Sequence, residues 1–211
     1  YRDSGFDSDQ LADAVAVIQE QRGVTTDGAA PVINHWDPES GLCDEGALLF
    51  GDKSPFPGDI PGVAADWFVM LAKTTLQVPQ PGDYTFGVQS DDSFGLRVNG
   101  GRFVSSSGNG RIDPADAQVL YLSGGTCNSN TRGVYRFDAG GEHAVELVYY
   151  ECGASADIEL YWAKGAFEDN SDTTAWELVG LGLPLKVECR LQPPEQGDRK
   201  STRLNSSHVS Q

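Results

Sequence analysis

From Asp66 onward, apolar and polar residues alternate along the chain. In WFVMLAKTTLQV (Trp67–Val78), Phe68, Met70, Ala72, Leu76 and Val78 fall on one face, the period-two pattern of a half-buried strand. PQPGD (Pro79–Asp83) interrupts it with turn residues. The alternation resumes with Tyr84, Phe86 and Val88 and again with Phe94, Leu96 and Val98. Asn99-Gly100 then predicts a tight hairpin turn. Further runs at Ala117–Leu122, Gly133–Ala139, His143–Glu151 and Asp157–Ala163 continue the series. Short strands separated by turn signals predict an all-β fold, an antiparallel β-sandwich.

The helical period occurs in one place. Between Asp7 and Gly23, Leu11, Val15 and Ile18 recur at helical spacing, with Asp7 or Ser8 as cap and Gly23 as terminator. This predicts one short N-terminal helix whose apolar stripe packs on the body. The region Val24–Pro61 is rich in loop residues, with Trp36 and Phe50 as anchors. Within it, Gly51–Gly62 holds three prolines and reads as irregular chain or a lid. Neither an internal repeat nor a linker divides the body, so residues 1–197 read as one domain. The final stretch, DRKSTRLNSSHVSQ (Asp198–Gln211), is polar and basic without a strand pattern. Asp198–His208 resembles the translated read-through of a common sequencing adapter. Residues 198–211 are therefore set aside as a non-native tail, and the natural chain is expected to continue differently after Gly197.

Charge and cysteine content narrow the class. A net charge of −16 leaves no basic stripe to neutralise phosphates, which argues against nucleic acid as a partner. No apolar run reaches the length of a membrane-spanning helix. These features fit a secreted or surface protein whose acidity serves solubility or attracts cations. The four cysteines, Cys43, Cys127, Cys152 and Cys189, lack the paired spacing of a zinc site. Cys127–Cys152 is the expected disulfide, with Cys43–Cys189 as a second pairing, and buried free thiols as the alternative. His35 and His143 lack metal-binding spacing.

One stretch breaks the strand logic. In VQSDDSFGLRVNGG (Val88–Gly101), two aspartates stand side by side between two strand-like halves. Asp is a poor strand residue, and adjacent carboxylates repel. Successive strand side chains face opposite ways, so both carboxylates could serve one target only through an unusual backbone, such as a cis peptide. A bound Ca²⁺, which takes six to eight oxygens in irregular geometry, would reward such an arrangement. The alternative is a plain turn in which the aspartates accept nearby backbone N–H groups.

GDYTFGVQSDDSFGLRVNGG (Gly82–Gly101), followed by HAVELVYYECGASADIELYWA (His143–Ala163), resembles the PA14 domain family. The resemblance covers Asp66–Trp162, and the preceding PFPGD and N-terminal helix resemble bacterial secreted versions. It implies a β-sandwich used as a sugar-binding or adhesive module. It further implies that Asp91 and Asp92 form a cis-linked pair holding Ca²⁺, and that a second loop supplies more oxygens. Sugar hydroxyls would then coordinate the ion. Glu151 falls at the side-chain ligand position of that second loop, and carbonyls near Gly153 and Ser155 would complete the site. Tyr150, flanking the loop, is the candidate for stacking on the sugar. Two positions depart from the family pattern: Ser93 stands where Gly is usual, and an acid occupies the second-loop position.

Plainer roles exist for each residue. Glu151 would then be an exposed strand-end carboxylate, and Asp157 is expected to face solvent. The tryptophans Trp36, Trp67, Trp162 and Trp176 are expected in the core rather than on a sugar. The polar stretches Ser105–Arg111 and Gly124–Gly133 are either loops beside the site or simple connections. No GxSxG, HExxH or phosphate-binding loop is present, so the chain is expected not to be an enzyme. The resulting expectation is a monomeric, calcium-dependent carbohydrate-binding module of a larger extracellular bacterial protein. The alternatives are a structural or protein-interaction module of a surface protein, or an accessory domain of a glycosidase.

Overall fold

The computed structural model describes residues 11–21, 24–37, 49–51, 53–63, 66–153, 155–180 and 185–191. Two antiparallel sheets face each other. Their strands are β1 (Val24–Ala30), β2 (Asn34–Trp36), β3 (Phe68–Val78), β4 (Gly82–Asp91), β5 (Ser93–Val98), β6 (Gly101–Gly108), β7 (Arg111–Ile112), β8 (Val119–Leu122), β9 (Ser129–Phe137), β10 (Gly141–Glu151), β11 (Asp157–Lys164), β12 (Glu177–Leu178) and β13 (Leu185–Leu191). The first sheet orders β1-β13-β3-β10-β5-β8-β7; the second orders β12-β11-β4-β9-β6, with β2 added on β11.

The predicted inward faces meet between the sheets. Phe68, Met70, Ala72, Leu76 and Val78 from β3 share one buried cluster with Tyr84, Phe86 and Val88 from β4 and Phe94, Leu96 and Val98 from β5. Edge-to-face contacts among Phe86, Phe103 and Tyr135 fill its centre. Each fully buried large apolar side chain stabilises by about 1.5–3 kcal/mol relative to exposure, so the sandwich rests on this cluster.

The helix, α1 (Leu11–Gln19), explains a departure from strict alternation. Val69 and Leu71 of β3, and Val148 and Tyr150 of β10, point away from the main core yet are buried. Ala14 and Val17 of α1 cover them, with Leu11, Val15 and Ile18 flanking. The apolar stripe predicted from Leu11, Val15 and Ile18 is thus the border of the contact, and the small Ala14 and the valine three residues on form its centre. The expected caps at Asp7 or Ser8 and at Gly23 lie outside the described residues, as does the tail at 198–211.

Two expectations are corrected. Asn99-Gly100 does not close a hairpin: β5 pairs with β10 and β8, whereas β6 pairs with β9. The turn carries the chain from one sheet to the other. Cys127 is disulfide-bonded while Cys152 is a free thiol, so the Cys127–Cys152 bridge is not formed. Cys43, half of the second expected pairing, lies outside the described residues.

Candidate functional site

Two passages between the sheets lie side by side at one end of the sandwich. At the first, β4 ends at Asp91 in the second sheet and β5 begins at Ser93 in the first. At the other, β10 ends at Glu151 in the first sheet and β11 begins at Asp157 in the second. The strand registers lock them together: Tyr150 lies opposite Ser93, and Asp157 lies opposite Asp91. Residues 60 positions apart in sequence are therefore neighbours without any loop having to reach for the other.

The Asp91-Asp92 peptide bond is cis. Asp91, Asp92 and Glu151 each offer a carboxylate oxygen, and these oxygens all lie within 4.8 Å of one another. The three residues are only 1–3% exposed. Glu151 is therefore not the exposed strand-end acid of the plainer reading.

Neutral donors hold the carboxylates. Asp92 accepts from the backbone N–H of Thr126 at 2.6 Å through Oδ1. Its Oδ2 accepts from the Cys152 N–H at 3.0 Å and from the Cys152 thiol at 2.6 Å. Glu151 accepts from the Gly153 N–H at 2.6 Å and from the Tyr149 hydroxyl at 3.0 Å. The same hydroxyl contacts the Asp91 carbonyl oxygen. Asp91 Oδ2 is buried with no hydrogen-bond partner among the described residues.

No positive side chain among the described residues forms an ion pair with these three acids. Burial, followed by repulsion from Asp92 and then Asp157, pushes the Asp91 carboxyl up to about 8. Burial and the nearby Asp92 push Glu151 up to about 10, against the pull of the Gly153 N–H and the Tyr149 hydroxyl. An unpaired buried carboxylate is costly, so such a cluster must take up protons or a cation. Three converging carboxylates, one with an unpartnered oxygen, form a hard oxygen set of the kind Ca²⁺ prefers.

The surroundings revise three further expectations. Asp157 is only 5% exposed rather than solvent-facing. Burial raises its carboxyl to about 6, Lys53 pulls the other way, and Asp92 adds to the rise. Tyr150 cannot stack on a ligand at this site, because its side chain lies under α1 on the outer face of the first sheet. Of the tryptophans, Trp176 is buried against Tyr161, and Trp162 stacks on Tyr84 and Phe86. Lys53 lies over the ring of Trp36. Trp67 is instead exposed.

The segment between β8 and β9 walls the site, which the sequence left open. Thr126 binds Asp92, the Gly124 carbonyl accepts from the Ser93 hydroxyl at 2.8 Å, and a Cβ at Gly125 would meet Asp92 and Cys152. Ser93 thus ties the aspartate turn to this wall. In contrast, Ser105–Gly108 belongs to β6, and Asn109 accepts from the Asn130 N–H. Gly153 and the buried Ser155 sit on the second passage, next to Glu151.

Comparison with known proteins supplies a family. The PA14 domain matches residues 57–170. A solved structure described as "PA14 sugar-binding domain from RTX adhesin" is similar at 22% identity with a TM-score of 0.34, covering 51% of this chain and 49% of that one. The chain thus spans about half the length of that solved chain. No curated protein matches.

Proposed function

Because the chain belongs to the PA14 domain family, we propose that it is a calcium-dependent carbohydrate-binding module of a larger extracellular bacterial protein. Asp91, Asp92 and Glu151 would hold the ion, with carbonyls near Gly153 and Ser155 adding oxygens. Bound there, Ca²⁺ would supply coordination positions for vicinal sugar hydroxyls. The chain's own work is to hold three acids in place. Thr126, Cys152 and Gly153 N–H groups and the Tyr149 hydroxyl fix the orientation of Asp92 and Glu151.

One observation carries this reading: three buried carboxylates converge with no cationic partner among the described residues. A core-building role does not account for that, since an apolar end would be cheaper. Catalysis by the pair is also a poor fit. A glycosidase separates its two carboxyl groups by about 5–10 Å across a cleft so that acid and base take different roles, whereas Asp91 and Asp92 are joined in one turn.

The depth of the triad favours a second reading, in which the ion only stiffens this end of a structural or protein-interaction module. Glycan-array binding in calcium, repeated in chelator, separates the two. Sugar signals that vanish on chelation support the lectin. Calcium binding with no sugar signal supports the structural module.

A further inference from the structure

We infer that Trp67 is the specificity-determining aromatic of this site, stacking on the apolar face of a pyranose whose hydroxyl edge meets the carboxylate triad. The inference rests on the carbohydrate-binding reading above and adds the residue that recognises the ring.

Three observations point to it. Trp67 is 38% exposed, whereas the other three tryptophans lie against core rings or beneath Lys53. Its place is also specific. Trp67 immediately precedes Phe68, which pairs with Glu151. A Cβ built on Gly153 would lie 3.5 Å from the Trp67 indole nitrogen and 3.8 Å from an Asp66 carboxylate oxygen. The indole thus borders the loop that starts at Glu151.

The third observation is the backbone. Trp67 has φ +59°, a left-handed conformation that is a genuine outlier for a bulky residue. Strand alternation would otherwise send its side chain to the face that α1 covers, along with Val69 and Leu71. The left-handed residue breaks that series at the entrance to β3, and the indole stays partly in solvent beside Gly153, two residues after Glu151. Gly153, opposite it, is itself left-handed at φ +111° and carries no side chain to fill the space.

The chemistry fits an amphipathic ring. A pyranose has a polar hydroxyl rim and one or two faces of C–H groups. The acids and their ion suit the rim, and an indole beside them suits the face. An aromatic side chain gives large contact area at little entropic cost.

The test uses the full chain in calcium, with methyl pyranosides of gluco, manno, galacto and fuco configuration as probes and calorimetry as readout. Trp67→Ala is expected to weaken the best-bound glycoside at least tenfold while calcium affinity stays unchanged. Trp67→Phe, which keeps an aromatic face, is expected to recover most of the loss. Unchanged glycoside affinity in Trp67→Ala, with wild-type glycoside binding intact, overturns the role of Trp67 alone. A wild-type chain that binds calcium but none of the glycosides overturns the carbohydrate reading and this inference with it.

Discussion

Strand β5 joins two very different corners. At one end the chain changes sheets through Asn99-Gly100, and at the other through Asp91-Asp92. The first corner is built for local conformation. Gly100 has φ +93°, and its missing Cβ leaves room for the His143 ring, which a Cβ would meet at 1.9 Å. Its carbonyl accepts from the Asp138 N–H, and the Asn99 N–H finds the Ala144 carbonyl. Charge at this end is exposed and paired, as in Arg136 with Asp83 at 2.7 Å. The second corner does the same topological job with three buried acids that form no ion pair among the described residues. A chain that needed only a crossover had the cheaper solution available one strand later. On the proposed reading, the aspartate corner is held for the ion as well as for the crossover.

The largest effect expected from breaking this contrast is on the ion. Asp91→Ala or Asp92→Ala should lower calcium affinity at least 100-fold, read by calorimetry. Gly100→Ala should leave calcium affinity as it is. Retained calcium binding in both aspartate variants would remove the site assignment.

Next comes stability at the glycine corner. Gly100→Ala places a side chain at positive φ against His143, and should destabilise by about 1–3 kcal/mol in denaturant melts. The conformational argument fails if the variant melts with the wild type.

A third test is pH. Asp91 and Glu151 have folded values raised to about 8 and about 10, well above their unfolded ones. Between pH 5 and 8 the folded, calcium-free chain binds more protons than the unfolded chain, so its stability falls as pH rises. In chelator the melting midpoint should therefore decline from pH 5 to 8. In saturating calcium the decline should flatten, because ionised acids are then the favoured form. Asp83, which Arg136 holds below the usual carboxylate range, acts oppositely and only at acid pH. The smallest effect belongs to that exposed pair: Asp83→Asn should shift the neutral-pH midpoint barely measurably, as exposed ion pairs do.

What was legible in the sequence follows from how local each signal is. The inward faces of β3, β4 and β5 could be read because alternation is a property of the strand itself. The aspartate pair could be read because acids are out of place between two strand halves. Glu151 came through family resemblance, and its burial beside the pair follows from the register of β10 on β5. Asn99-Gly100 reads as a hairpin because the same turn chemistry also serves a passage between sheets. Tyr150 reads as a stacking residue until α1, more than 130 residues earlier, is set over its face. Asp157 reads as solvent-facing until β11 is set against β4, which puts it opposite Asp91. Trp67 reads as a core residue because nothing local announces a left-handed residue at a strand entrance.

The most direct test of the central claim is thermal melting of the chain in chelator, followed by a calcium titration. A cation that binds the folded state stabilises it by about 2.7 kcal/mol at 100 times its Kd. The account predicts a dose-dependent rise in the midpoint that is lost in Asp91→Ala. A midpoint that stays flat into millimolar calcium would contradict it, and would leave Asp91 and Glu151 as protonated members of a purely structural corner.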